Sequence, residues 1–262
     1  MWQNLARLFR YRGLIQSLVS RELKARYRGS FLGFFWSFVN PLLLLGVYSF
    51  VFSTIMKNDE PLTKPYAVFM FCGLLPWTWF AASMLEASNS LISGGNLIKK
   101  VLFPAEVLPI VSVLSNMVHF LLGLPILFGF MVRYHHLPHF PGVLWFPVIV
   151  LVQLVFTIAC VLLLSALTVH FRDLRDLLAN LITLWFFATP IIYPYFLEGV
   201  KNYVGFFKYN PMYHIIVAYQ ESLFFEVFGH YAVLALGGLS ILFFLGAYWV
   251  FDRLRDSFAE AV

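Results

Sequence analysis

Six runs of mainly apolar residues dominate this chain, at 31–56, 66–92, 107–131, 143–169, 177–196 and 231–251. A helix needs ~20 such residues to cross a bilayer, and every run is at least about that long. The runs are continuous, whereas strands of a membrane barrel are ~10 residues of alternating polarity. Only 12% of the chain is charged and 61% is hydrophobic, against ~25% and ~45–50% in soluble domains. The expected fold class is therefore all-α integral membrane, with six transmembrane helices and lipid as the main solvent.

The stretch RELKARYRGSFLGFFWSF, residues 21–38, sets Arg21, Lys24, Arg26 and Arg28 directly against an aromatic run. At a membrane surface that boundary places cations among anionic headgroups, each worth ~1 kcal/mol, and puts the apolar run in hydrocarbon. Six crossings bring both termini to one side. That side carries thirteen of the 18 Lys and Arg, so the positive-inside rule assigns both termini to the cytoplasm. The sequence pI of about 9.2 is accounted for by this topology and calls for no nucleic acid. The first 30 residues are too charged to read as a signal peptide.

Three segments between or before the runs are unusual. In residues 5–19, Leu5, Leu8, Tyr11, Ile15, Leu18 and Val19 share one helical arc, with Arg7, Arg10 and Ser17 off it. This predicts an amphipathic interface helix, with Arg12 intruding on the apolar face and snorkelling. In SGGNLIKKVLFPAEVLP, Gly94 and Gly95 break the second span, Asn96 is the expected N-cap of a short helix, and Pro104 ends that helix. This cytoplasmic helix within 94–106 carries Leu97, Ile98, Val101, Leu102 and Phe103, an apolar surface that calls for a protein cover. The third segment, 197–230, is too long for a plain loop and rich in aromatics. Asn210-Pro211 splits it, and Glu221 and Glu226 argue against a seventh span, so two short, partly embedded outer helices are expected. Pro190 and Pro194, in ATPIIYPYF, are expected to bend or unwind the outer end of the fifth span.

Polar groups inside the runs admit two readings. Glu86 sits with Ser83, Ser90 and Ser93 at helical spacing, and His119 with Ser112, Ser115 and Asn116. Intramembrane ionisable groups point to a proton relay; the alternative is interhelical hydrogen bonding. Glu86 falls near the cytoplasmic interface and His119 about 10 Å deeper at ~1.5 Å per residue, which places them poorly as a pair. No phosphate loop, zinc-protease motif or nucleophile elbow occurs. His135, His136 and His139 cluster in an outer loop without a carboxylate or Cys beside them, so no metal site is expected. Cys72 and Cys160 fall inside spans and read as buried thiols. Aromatic residues make up 19% of the chain. Interfacial belts explain many of them, but Trp36, Tyr48, Trp77, Trp79, Trp185 and Tyr193 lie within or at the ends of spans, where ring faces would suit a passage for saccharide.

Six segments carry a resemblance: RELKARYRGSFLGFFWSFVNP (21–41), GLLPWTWF (73–80), LFPAEVLP (102–109), FRDLRDLL (171–178), TPIIYP (189–194) and YNPMYHII (209–216). In order and spacing they resemble the membrane subunits of ABC-2 type polysaccharide exporters, closest to O-antigen and teichoic-acid permeases. The resemblance implies a type V exporter-like permease fold, a homodimer in the cell inner membrane, and two copies of a separate cytoplasmic ATPase. ATP and Mg would then be bound by that partner, with no cofactor on this chain and no enzyme activity of its own. It implies that Asn96, Leu97, Ile98, Val101, Leu102 and Phe103 form the ATPase-coupling helix, and that the pieces within 197–230, with Tyr203, Phe206, Phe207 and Tyr213, are outer gate helices. The substrate it implies is a polysaccharide on an undecaprenyl-diphosphate carrier. Arg21, Arg26 and Arg28 are candidates to receive that diphosphate, or serve only as topology signals. Trp36, Asn40, Tyr48, Trp185 and Tyr193 are candidates to line the translocation path.

Three other functions stand beside this one. A proton-driven flippase would depend on Glu86 and His119. A membrane-embedded glycosyl- or acyltransferase would rely on Glu221 or Glu226. An ABC-2 relative of another kind would move a different lipid or a drug.

Overall fold

The computed structural model of the chain describes residues 11–55, 61–99, 103–138, 140–171, 173–197, 204–225 and 229–261. Among these residues every regular element is helical. Helix α1 (Arg12–Arg26) carries the described part of the amphipathic arc. Leu18 is buried against Val107 and Val111, and Tyr11, Leu14, Ile15, Val19 and Phe103 pack around them. The arc therefore rests on protein along this flank, and Arg12 points away, exposed. Leu5, Leu8, Arg7 and Arg10 lie outside the described residues.

After α1 the chain turns at Gly29 (φ +79°) and Gly33 (φ +50°), both in the left-handed region that a β-carbon disfavours. These turns delay the first apolar helix, α2, to Trp36–Ser49, and Phe50–Ile55 continues it as a π-helical segment. Then come α3 (Tyr66–Ser93), the single turn α4 (Gly95–Ile98), α5 (Val107–Arg133), the short α6 (Phe140–Val143) and α7 (Phe146–His170). The remaining elements are α8 (Leu174–Phe187), the short α9 (Val204–Phe207), α10 (Pro211–Leu223) and α11 (Ala232–Ala261). Four helical stretches have the length and apolarity to cross a membrane: α3, α5, α6 together with α7, and α11. Helix α2 is apolar but shorter, at 14 residues before its π-helical continuation, and α8 is also 14 residues long.

Helix α3 is the axis of the bundle. Phe69, Phe71, Trp79 and Phe80 are almost wholly enclosed, because α5, α7, α8 and α10 pack around them. Ring contacts knit the layers: Trp79 stacks on Phe120 of α5 at 5.1 Å, and Phe80 stacks on Phe156 of α7 at 5.9 Å. Helix α11 lies along α7. It buries Ala247, Tyr248 and Phe251 while exposing Leu239, Leu242 and Trp249, the division expected of a helix between protein and lipid.

The end of the fifth run is unwound at Pro190 and Pro194, as expected, and the N-cap expected at Asn96 changes. Helix α8 starts at Leu174 and stops at Phe187, well short of 196. Pro190 has no N–H with which to continue the ladder, and its carbonyl instead accepts from Gln220 Nε2 of α10 at 2.9 Å. Asn96 is not an N-cap. The Gly94 N–H still bonds the Ser90 carbonyl at 3.0 Å, so the helical path is intact when it reaches Gly94. Gly94 thereby takes the capping position and leaves Asn96 inside the turn and exposed.

The segment 197–230 does contain two short helices, α9 and α10. Asn210 caps α10, its side chain accepting from Met212 N at 3.0 Å, and Pro211 follows at the first helical position. From Met212 to Ser222 only His214 of α10 escapes burial. Its end is fixed where Ser222 Oγ donates to the Gly142 carbonyl at 2.7 Å. A β-carbon on Gly142 would stand 2.8 Å from the Ser222 carbonyl oxygen, which backbone cannot easily relieve. Gly142→Ala is expected to destabilise the chain by about 1–3 kcal/mol through overpacking, read as a lower thermal midpoint; Gly129→Ala, inside α5 with open space around it, is the control whose midpoint should not fall.

Candidate functional site

Arg26 ends α1, Glu86 lies late in α3, and Asn116 lies one turn before His119 in α5. The fold brings all three together. Arg26 Nη2 forms an ion pair with Glu86 Oε2, and Arg26 Nη1 donates to Asn116 Oδ1 at 3.0 Å. Asn116 Nδ2 donates both to Glu86 Oε2 at 2.7 Å and to the Ser112 carbonyl at 2.9 Å. The next residue extends the contact: Tyr27 Oη is 2.6 Å from Ser37 Oγ of α2, and its ring meets His119 edge-on with centroids 5.9 Å apart. Two adjacent residues thus tie α1 to α2, α3 and α5. Glu86 is engaged by a fixed cation and an amide, the arrangement of a structural clamp. The route from Glu86 to His119 runs through Arg26 and Tyr27, with no direct contact between them.

Two cavities flank this clamp. An inner one of about 310 Å³ is bounded by Arg26, Tyr27, Trp36, Asn40, Asn116 and His119, with Thr78 and Trp79. It gathers two of the path candidates, Trp36 and Asn40. The other cavity, about 530 Å³, opens among α1, α3, α4, α5 and α8 and includes Arg21, Glu86, Leu97 and Arg175.

The remaining path candidates assemble elsewhere. Trp185 of α8 packs edge-on to Trp77 and Phe80 of α3 and donates from Nε1 to Asn210 Oδ1 at 2.7 Å. Asn210 in turn donates to the Ala188 carbonyl and to Thr189 Oγ1, both at 3.0 Å. Tyr48 rests beside Phe186 at 6.0 Å. Tyr193 donates to the Phe187 carbonyl at 2.7 Å and meets Phe207, which stacks on Tyr213 at 6.2 Å. Phe207, Tyr213 and Tyr193 therefore form one aromatic cluster at the end of the bundle away from the clamp, with Phe206 exposed beside it. Tyr203 lies outside the described residues.

The diphosphate candidates are not brought together. Arg26 is held in the clamp, Arg28 is exposed in the turn after α1, and Arg21 lines the larger cavity with Arg175. In the turn between α3 and α5, Asn96 is exposed and Leu97 lines that cavity. Ile98 packs against a cluster that joins Leu91 and Ala105 to Tyr248, Phe251 and Phe258, because α11 continues past the apolar run. Part of the expected cover thus comes from the chain itself. Val101 and Leu102 lie outside the described residues.

Sequence patterning missed Tyr27, Ser37, Asn210 and Arg175 as members of these networks. Only Asn210 had a local signal, the Asn-Pro pair. Of the transferase candidates, Glu221 is buried and braced, accepting from Tyr195 Oη at 2.9 Å and Gly229 N at 2.8 Å; Glu226 lies outside the described residues. In the loop after α5, His136 bonds the Phe224 carbonyl at 2.9 Å, and His139 also lies outside the described residues.

A histidine pair, His214 and His230, also escaped the pattern. His214 of α10 places Nε2 2.8 Å from the Lys208 carbonyl and Nδ1 2.8 Å from His230 Nε2. Since a carbonyl only accepts, His214 Nε2 carries the proton and neutral His214 accepts from His230 at Nδ1. Burial, and then the neighbouring His214, push the His230 pKa down from 6.5 to about 4.

Comparison with known proteins gives this geometry a family. The family described as ABC-2 type transporter matches residues 13–224. The O-antigen export system permease protein RfbA of Myxococcus xanthus is 42% identical over 260 residues, 97% of either chain. A protein of the same name from Klebsiella pneumoniae is 34% identical over 266 residues, covering 99% of this chain and 98% of its own. Another from Klebsiella pneumoniae is 31% identical over 260 residues, covering 99% and 98%.

In a double-mutant cycle, Arg26→Ala and Glu86→Ala should each lower stability. The pair together should cost less than their sum, with a coupling energy of about 1–3 kcal/mol measured by denaturation in detergent; a coupling near zero would remove the clamp. For His230, the unfolded chain binds the proton more readily than the folded chain between pH 6.5 and about 4, so stability is lost as pH falls through that window. The thermal midpoint should drop on acidification from pH 7 to 5, and drop less in His230→Gln.

Proposed function

Because the chain belongs to the ABC-2 type transporter family, we propose that it is the membrane permease of an ATP-driven exporter for an O-antigen-like polysaccharide. The cargo travels on an undecaprenyl-diphosphate carrier, from the cytoplasm across the inner membrane. The observation that carries this reading is near full-length similarity, at 42% identity, to a protein named as an O-antigen export permease.

In this reading the four long helices are joined by α2 and α8 as shorter crossings, giving six passes with both termini cytoplasmic. The chain works as a homodimer with two copies of a cytoplasmic ABC ATPase, which holds ATP and Mg. Apolar side chains that α2 and α8 leave exposed support a partner there: Leu43, Val47 and Phe50 on one, Leu177, Leu181, Leu184 and Phe187 on the other. The second copy covers these stripes, and the path opens where α2 and α8 of the two copies meet.

The ATPase bears on the turn from Asn96 to Phe103. Its described ends are both anchored. Ile98 is packed on α11, and Phe103 is packed among α1 and α5, so a push on it is passed to those helices. At the opposite end, the Tyr193–Phe207–Tyr213 cluster closes the exit and is tethered to α8 through Asn210 and Trp185. Movement of α8 therefore moves the closure.

Asn96→Arg and Leu102→Asp are expected to abolish co-purification of the ATPase while leaving the permease folded; full recovery of the complex would refute the contact. In vesicles holding the lipid-linked polysaccharide, the chain alone with a pH gradient should be inert. Export should require the ATPase and ATP. Transfer by the isolated chain would overturn the reading.

A further inference from the structure

We propose that the larger cavity is a binding site for the head of a zwitterionic phospholipid, a phosphate ester bearing a primary ammonium, as in phosphatidylethanolamine. Its volume of about 530 Å³ falls within the ~300–1,000 Å³ of small-molecule sites. It sits where a headgroup would reach it, between the basic helix α1, the end of α3 and the start of α5. One wall is apolar, with Leu18, Leu85 and Leu108, and suits the glycerol and upper acyl chain. The others are polar.

The signs of charge on those polar walls select the ligand. Arg21 and Arg175 bring two guanidiniums, and Glu22 and Glu86 bring two carboxylates. Arg26 already neutralises Glu86. Among the described residues Arg21 and Glu22 make no hydrogen bond or ion pair, and Arg175 reaches only Asn89 Oδ1, at 3.5 Å. The cavity thus offers two cations and one uncommitted carboxylate. A diphosphate would gain from the arginines and be repelled by Glu22; an uncharged head would satisfy neither. A phosphate monoanion with an ammonium a few bonds away satisfies both at once. Arg21 and Arg175 take the phosphate through charge-assisted bonds. Glu22 accepts from the ammonium, and the hydroxyls of Ser90 and Ser93 complete the shell. An occupied site would bridge α1, α3 and α8, so this lipid acts as a structural ligand distinct from the exported cargo.

The test is native mass spectrometry of the full chain in mild detergent, with phosphatidylethanolamine and phosphatidylglycerol supplied in equal amounts. The wild type should retain phosphatidylethanolamine over phosphatidylglycerol by about tenfold or more, the size expected of one charged hydrogen bond. Glu22→Gln should bring that ratio close to one, Arg175→Ala should lose both lipids, and Lys24→Gln, outside the cavity, should leave the ratio unchanged. The proposal is overturned if the wild type retains the two lipids equally. It is also overturned if Glu22→Gln keeps the wild-type preference, or if Lys24→Gln shifts the ratio as far as Glu22→Gln does. None of these readouts depends on export or on an ATPase, so the result stands apart from the proposed function.

Discussion

Arg26 at the end of α1 and Glu86 near the C-terminal end of α3 form the constraint on which the rest depends. An ion pair this close to hydrocarbon is tolerable only if its spare hydrogen-bonding capacity is used. Asn116 uses it, bonding Arg26 and Glu86 together and anchoring itself to the Ser112 carbonyl. The three residues come from three helices far apart in sequence. Once joined, they fix the axial position of α1 against α3 and α5, and Tyr27 can then reach Ser37 to set the start of α2. An amphipathic helix floating at an interface would have no such register.

At the other end of the bundle the problem is irregular backbone, which cannot be left facing lipid. Helix α10 solves it with side chains rather than ladders. Gln220 donates to the Pro190 carbonyl, Ser222 to Gly142, and Glu221 accepts from Gly229 N. Tyr66 of α3 adds a bond to the Ile192 carbonyl at 2.8 Å. The segment after α8 is therefore unwound but satisfied, which is how Pro190 and Pro194 can sit beside the bundle without leaving orphaned carbonyls.

Much of this was legible in the sequence wherever the signal is local. Length and apolarity located α3, α5, α7 and α11, because lipid demands continuous apolar helices. Asn210-Pro211 located the start of α10, since a cap and an N1 proline act within a few residues. The late start of α2 and the exact stop of α8 were less legible. They depend on Gly29 and Gly33 turning before Trp36, and on Pro190 finding another acceptor role for its carbonyl. Asn96 misled for a related reason: capping preference counts only where a helix starts, and here the helical path already runs through Gly94. The Arg26–Glu86 pair could not have been read at all. Each residue had a sufficient local explanation, Arg26 as a topology charge and Glu86 as one polar group among serines, and only the packing of α1 onto α5 brings them into contact.

That same contact divides the interior. Glu86 and Ser112 face the larger cavity, while Arg26 and Asn116 face the inner one beside Trp36, Asn40 and His119. The clamp is the shared wall, so its two faces cannot be changed independently. Displacing α1 enough to enlarge the inner cavity withdraws Arg26 from Glu86 and leaves a carboxylate facing the other side. Any such motion favours a replacement cation or hydrogen-bond donor for Glu86, since a partly desolvated carboxylate that loses its partner is destabilised. Arg21 and Arg175 line the side to which Glu86 would turn. The position of α1 is therefore coupled to the charge state of the larger cavity through electrostatics alone, with no need for a chain of packed side chains between them.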